Sequence, residues 1–326
     1  MDNKAYLEII DTAARAIEAA CGRADIAVVL GSGGTSLTAC YVVRQAGGTP
    51  VVISRNGENR YDHLERHADA TGLINATPVG MYPAVEACPV NLDCLPKLRF
   101  VMDAIYNPLR TRLCQSAQQK GIPCIGGLSM LVWQAAEACR LFTGQVVADE
   151  RVAAAEAALR RKITNLAIIG MPGVGKSSVG RRVAKLLEMS LVDLDKEIVR
   201  RAGCSIPQIF EREGEAGFRR REAELLKHYA LQGGQVLVTG GGAPLAEQNR
   251  EYLRMNSFVV HMTRPIESLP TAGRPISQSH SLEALWQERA PLYAACADAT
   301  LPNETAVRCM NAMKEAYDEA VCPQRP

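Results

Sequence analysis

One segment constrains the fold of this chain more than any other. The apolar run Leu166-Ala167-Ile168-Ile169 passes at once into Gly170-Met171-Pro172-Gly173-Val174-Gly175-Lys176-Ser177, and a helical pattern of Val179, Val183, Leu186 and Leu187 follows. This is G-x-x-x-x-G-K-[ST] in the strand, loop, helix order that a phosphate loop requires. Glycines let backbone N–H groups turn inward around phosphate oxygens, and the helix N-terminus adds positive potential. Lys176 then reaches the β and γ phosphates while the Ser177 hydroxyl ligates Mg²⁺. Gly170, Gly173, Val174, Gly175, Lys176, Ser177 and Ser178 are therefore the candidate ATP contacts. An ordinary glycine turn before a helix is the plain alternative.

A second glycine turn stands in the first half. Ile26 to Leu30 leads into Gly31-Ser32-Gly33-Gly34-Thr35-Ser36, a variant of G-x-G-x-x-G with a small serine at the third position. The next apolar run, Val51-Val52-Ile53, ends in Ser54-Arg55, roughly 20 residues on, where ribose recognition is expected. An arginine there, in place of an acid, favours the 2′-phosphate of NADP. A plain surface role is the competing reading for Arg55, and more so for Arg60.

Around these turns, short β-branched runs alternate with helical patterns: Ile26 to Leu30, Val51 to Ile53, Leu73 to Ile74, Phe100 to Met102, Leu166 to Ile169, Val236 to Val238 and Phe258 to Val260. The alternation predicts α/β architecture: an N-terminal Rossmann-like domain, then a P-loop domain of the nucleoside-monophosphate-kinase type, both with parallel sheets and helices on both faces. VADERVAAAEAALRRK reads as a connecting helix, so the expected domains are 1–147 and 163–326 with a linker over 148–162. A length of 326 residues suits two cores. With 47% hydrophobic and 22% charged residues and a net charge of +2, the chain is neither disordered nor built to attract nucleic acid or a membrane surface. Its 11 cysteines include no C-x-x-C pair, which fits reduced thiols and a cytoplasmic location. MDNKAYLE has neither the basic start nor the apolar stretch of an export signal.

Further candidates lie in the second half. Asp193 and Asp195 in SLVDLDKEIV follow an apolar pair, and period-two spacing on an extended segment points both carboxylates to one side. One could hold a Mg²⁺-bound water while the other orients or deprotonates an acceptor hydroxyl; helix capping is the alternative. Arg219, Arg220 and Arg221 follow Phe218, and a solvated helix face competes for Arg220 and Arg221. At Gly240, Gly241 and Gly242 a simple turn competes with close approach to a ligand.

Taken together, GMPGVGKSS, DLD, FRRRE, TGGGA, GRP and RAPLY, in that order from about Asn165 to Thr300, resemble shikimate kinase. The resemblance implies that Asp195 contacts the shikimate hydroxyl being phosphorylated and Asp193 holds Mg²⁺ through water. It further implies that Arg219 and Arg289 grip the substrate carboxylate, that Gly240 to Gly242 contact the ring side, and that Arg274 is a lid arginine swinging onto the γ-phosphate. The lid segment from Arg274 to Arg289 is shorter than in many relatives, and Leu269-Pro270 stand where basic residues often precede it. A kinase for another small polyol acid is a rival, against which the two arginines argue by supplying a carboxylate clamp.

NATPVGM (Asn75 to Met81), DAIYNPLRT (Asp103 to Thr111) and GGLSMLVWQA (Gly126 to Ala135) resemble the NADP-binding domain of shikimate dehydrogenase over roughly Ala27 to Gly144. This implies that Thr77, Gly127 and Met130 lie along the cofactor while Tyr106 and Gln134 face the substrate. Met130 and Gln134, four apart, share a helix face, with core packing the alternative for Met130. The family's substrate domain, with its catalytic lysine and Asn-Thr-Asp element, has no room ahead of Gly31, and Asn3-Lys4-Ala5 only approaches that element. The expectation is consecutive aromatic-pathway activities with a complete kinase half and a dehydrogenase half that binds NADP without turnover. A partner chain supplying the missing domain, or a role as an NADP-sensing or tethering module, are the alternatives for the first half.

Overall fold

The computed structural model describes residues 25–269 and 282–322, and the chain divides into two compact units, Met1–Ala158 and Leu159–Pro326. In the first unit the elements run β1 (Ile26–Leu30), α1 (Gly34–Gln45), β2 (Thr49–Ile53), β3 (Gly72–Asn75), β4 (Phe100–Asp103), α2 (Arg112–Gln119), β5 (Cys124–Ile125) and α3 (Leu128–Thr143). Next comes α4 (Asp149–Ile163), which contains the boundary between the units. The second unit continues with β6 (Asn165–Ile169), α5 (Lys176–Leu187), β7 (Ser190–Asp193), α6 (Leu194–Ala202), α7 (Ile206–Ala230) and β8 (Gln235–Val238). It ends with α8 (Glu247–Asn256), β9 (Ser257–Thr263), α9 (Leu282–Cys296), β10 (Ala299–Pro302) and α10 (Ala306–Val321).

Both sheets are parallel, with strand orders β2-β1-β3-β4-β5 and β10-β9-β6-β8-β7. In the first, Val28 and Leu30 join one apolar cluster with Leu113 and Ala117 of α2, while Ala27 and Val29 join another with Ala39, Cys40 and Val43 of α1. Side chains alternate across a strand, so helices on both faces demand an unbroken apolar run, and IAVVL is one. The strand after β2 pairs on the far side of β1, opening a crevice between β1 and β3 at their C-terminal ends. In the second sheet β6 is central and fully buried. Its loop and the turn after neighbouring β8 therefore leave the same edge of the sheet.

Two strands escape the sequence pattern. β5 has only two residues, and β10 is a half-exposed strand ending in Pro302, a residue tolerated at sheet edges. The long run Ile206–Ala230 is two helices joined at Gly214, whose φ of 67° breaks the helical path. That break starts a new helix beneath Phe218 and Arg219.

Candidate functional site

In the second unit the backbone leaves β6 at Gly170, with φ 140°, and a Cβ there would lie 2.4 Å from the Met262 carbonyl oxygen. Only glycine permits that exit. The loop closes at Gly175, the N-cap of α5, which has no side-chain cap and no acidic residue in its first turn. Its N–H groups and positive end are thus uncompensated, which is what an anion requires. Ser177 and Ser178 are exposed there, whereas the Lys176 ammonium is buried and donates to the carbonyls of Gly170 (2.8 Å) and Met171 (3.0 Å). An ammonium has three donors to share, so it is held across the loop that a phosphate would fill.

Facing the loop is a pocket of about 570 Å³ lined by Lys176, Ser177, Asp195, Arg219, Glu222, Arg289 and Gly240 to Gly242, with Phe210 and Phe218 on its apolar wall. The acidic pair departs from the sequence expectation. Asp193 ends β7 and is the N-cap of α6, without a side-chain cap hydrogen bond, and Asp195 already lies in the first turn of that helix. Because the helix starts between them, the period-two argument fails: Asp195, half-buried, lines the pocket, and Asp193, which is buried, does not.

Arg219 projects from the second segment of α7. Its Nη1 donates to Glu222 Oε2 at 2.7 Å and its Nη2 to Glu215 Oε1 at 3.1 Å, while the guanidinium lies over the Phe218 ring. Of the three consecutive arginines it is the pocket member; Arg220 and Arg221 pair with Glu213, and Arg220 is 67% exposed. Glu222 is only 1% exposed and its Oε1 has no partner within the protein. Burial pushes its carboxyl up, against the opposing pull of the Arg219 charge. Arg289 of α9 is 3% exposed and its Nε is likewise unpartnered. Buried polar atoms left open in a pocket mark where a ligand supplies the missing partners. Glycines form the remaining wall, since a Cβ on Gly241 would lie 2.6 Å from Pro172 and one on Gly242 would lie 2.4 Å from Arg219 Nη2. Arg274 lies outside the described residues.

Glu222 was legible but unread: three residues after Arg219 on a helix, it must share that arginine's face. Among the described residues no group of three or more His, Cys, Asp or Glu side chains could hold a metal. Mg²⁺ needs no such cage, because it is commonly held by one or two protein oxygens together with substrate phosphates, and the exposed Ser177 hydroxyl in the pocket is an oxygen of that kind.

The first unit offers a different site. Gly31 follows β1, Gly33 caps α1, and Gly34 begins that helix, again with no side-chain cap and no acid in the first turn. Thr77 flanks Gly31, and its hydroxyl donates to Asn75 Oδ1 at 2.7 Å. Gly127 caps α3, and a Cβ there would lie 2.1 Å from the Ala104 carbonyl oxygen, so the two loops meet by backbone alone. Ser54 is buried, while Arg55, Tyr106 and Gln134 are exposed. Met130 is half-buried against the cluster that includes Val29 and Ile74, which favours core packing. Beneath the loops lies a network that the sequence reading passed over. Buried Asp103 accepts from Asn75 Nδ2 (3.0 Å), the Ile105 N–H (3.1 Å) and Thr111 Oγ1 (2.6 Å). Burial pushes its carboxyl up to about 6, against those donors.

A parallel sheet whose central strand feeds a glycine loop ending in Lys-Ser, with a carboxylate and two arginines beside it, defines a phosphate-loop nucleotide enzyme of the kinase class. Comparison with known proteins narrows the class. Residues 172–319 match the family model for shikimate kinase. A shikimate kinase from Coxiella burnetii (strain CbuG_Q212) is 40% identical over 157 residues, which are 45% of this chain and 88% of that protein. The chain belongs to the shikimate kinase family. Residues 127–160 match the model for the shikimate 5′-dehydrogenase C-terminal domain, so matches to both families fall within one chain. Among solved structures, shikimate kinase from Acinetobacter baumannii in complex with shikimate aligns with TM-score 0.45 and 31% identity, over 52% of this chain and 99% of that one. Shikimate 5-dehydrogenase from Thermus thermophilus in complex with NADP(H) and shikimate aligns with TM-score 0.40 and 30% identity, over 48% of this chain and 60% of that one.

Proposed function

We propose that the second unit transfers the γ-phosphoryl group of ATP to the 3-hydroxyl of shikimate, a step of chorismate and aromatic amino acid biosynthesis. The observation that carries the reading is the meeting, in one pocket with the phosphate loop, of the Asp195 carboxylate and the Arg219 and Arg289 guanidiniums. Planar guanidiniums match a substrate carboxylate, and their distance from the phosphate loop gives the acceptor a fixed orientation. Asp195 orients the acceptor hydroxyl and takes its proton as the oxygen attacks phosphorus and the bond to the ADP oxygen breaks. Lys176 exchanges its carbonyl partners for phosphate oxygens, and the N–H groups of the loop and of α5 hold the rest of the charge. Mg²⁺ bound at Ser177, with Asp193 behind a coordinated water, would neutralise charge on the phosphates. Arg274 is proposed for the lid. ADP release with Mg·ATP and shikimate tests the reading; no shikimate-dependent release would overturn it.

For the first unit we propose NADP binding, supported by the uncapped start of α1 and the backbone approach at Gly127. Arg55 would meet the 2′-phosphate, Ser54 and Thr77 would line the nucleotide, and Met130 would contribute its half-exposed side. Tyr106 and Gln134 can orient a substrate, but a phenol and an amide supply no lysine or carboxylate to carry away the proton. NADP binding without NADPH formation from shikimate is the expected result. Steady NADPH production by the purified chain would overturn it, and a partner-completed enzyme would produce NADPH only in the complex. Among the described residues no helix is long and apolar enough to cross a membrane.

A further inference from the structure

Four residues beyond Arg289 on α9 stands Tyr293, which is 1% exposed and does not line the pocket. Its hydroxyl donates to the Gly241 carbonyl oxygen at 2.5 Å and lies 3.9 Å from Met171 Sδ, and at four residues' spacing its side chain shares a helix face with Arg289. One residue thus links three separate parts of the site: the phosphate loop, the glycine wall and the arginine helix on which it stands. The ring cannot swing away, because it packs 4.9 Å from the His261 ring, which in turn stacks on Trp286. Burial pushes the phenol up to about 12, so the hydroxyl keeps its proton and remains a donor.

The consequence runs through the peptide plane. The Gly241 carbonyl and the Gly242 N–H belong to one trans peptide and point in opposite directions, so fixing the carbonyl fixes the N–H. Gly242 packs directly against the Arg219 guanidinium. A hydroxyl that donates to Gly241 from the helix that carries Arg289 therefore ties that helix to the backbone donor beside Arg219. We propose that Tyr293 is a positioning residue for the acceptor's carboxylate, holding Arg289 and the Gly241-Gly242 peptide in register without touching substrate. This rests on the shikimate kinase reading above.

The test is Tyr293→Phe in the full chain, which keeps the ring and removes only the oxygen. The expected result is a KM for shikimate raised about tenfold, a kcat lowered less than about threefold, and a KM for ATP within about twofold of the unaltered chain. In an Arg289→Lys background the same change should raise the shikimate KM by less than about twofold, because both act through one guanidinium. An unchanged shikimate KM, an equal rise in both KM values, or loss of ATP binding, the sign of a merely structural role, would each overturn the assignment. Should the unaltered chain turn over no shikimate, the kinase reading itself would fall; normal turnover with unchanged Tyr293→Phe constants removes only this inference.

Discussion

The two glycine loops of this chain have nearly the same local design and opposite surroundings. Each leaves a buried parallel strand and opens a helix that has neither a side-chain cap nor an acid in its first turn. Behind the second loop, packing gathers Asp195, Glu222, Arg219 and Arg289 into one pocket. In the first unit the buried carboxylate of Asp103 is turned inward, its oxygens on Asn75, Ile105 and Thr111. A helix start fed by glycines suits an anion in either case, but transfer chemistry needs charges that other elements bring to it.

The largest effect that would sharpen this contrast is expected from Lys176→Ala. Phosphoryl transfer should vanish in a coupled ADP assay while NADP affinity stays unchanged; retained turnover would break the assignment. Asp195→Asn should lower kcat by about 10² with little change in ATP affinity. Arg219→Ala and Arg289→Ala should weaken shikimate binding at least tenfold, since losing one member of a desolvated charge pair costs about 2 to 5 kcal/mol. Weakening of ATP binding alone would place them in the wrong pocket.

On the first unit's side, the inward carboxylate has a pH signature. Folded Asp103 holds its proton up to about pH 6, against the usual 3.8, so between these values the folded chain carries the extra proton. Stability contributed by this group is therefore greatest at the acid end and falls as pH rises through that window, by about 3 kcal/mol. Urea midpoints across the window should show the fall, and Asp103→Asn should remove most of it. The smallest expected effect is that of Arg55→Ala, about a tenfold loss of NADP affinity with NAD binding unchanged. Equal loss for both nucleotides would make Arg55 a surface residue.

Much of this was open to reading before any tertiary contact was known. The phosphate loop, the glycine turn after β1 and the apolar runs of the central strands all declare themselves, because each depends on residues adjacent in the chain. Even Glu222 was within reach, three positions from Arg219 on one helix. The relative geometry of Asp193 and Asp195 was not, since it turns on where α6 begins, at Leu194 between them. β10 was hidden for a related reason: an exposed edge strand has one neighbour and little apolar pattern to show.

The sequence alone therefore determined two glycine loops on parallel sheets, and the order in which they occur. Only the tertiary structure decided which charges meet. Arg219, Arg289 and Gly241 lie on different elements, and the Tyr293 hydroxyl joins Gly241 across 52 positions of chain. Asn75 reaches Asp103 across 28 positions. Local spacing reports the turn of one helix or the pleat of one strand, whereas the convergence of separate elements is fixed by how their apolar faces close-pack.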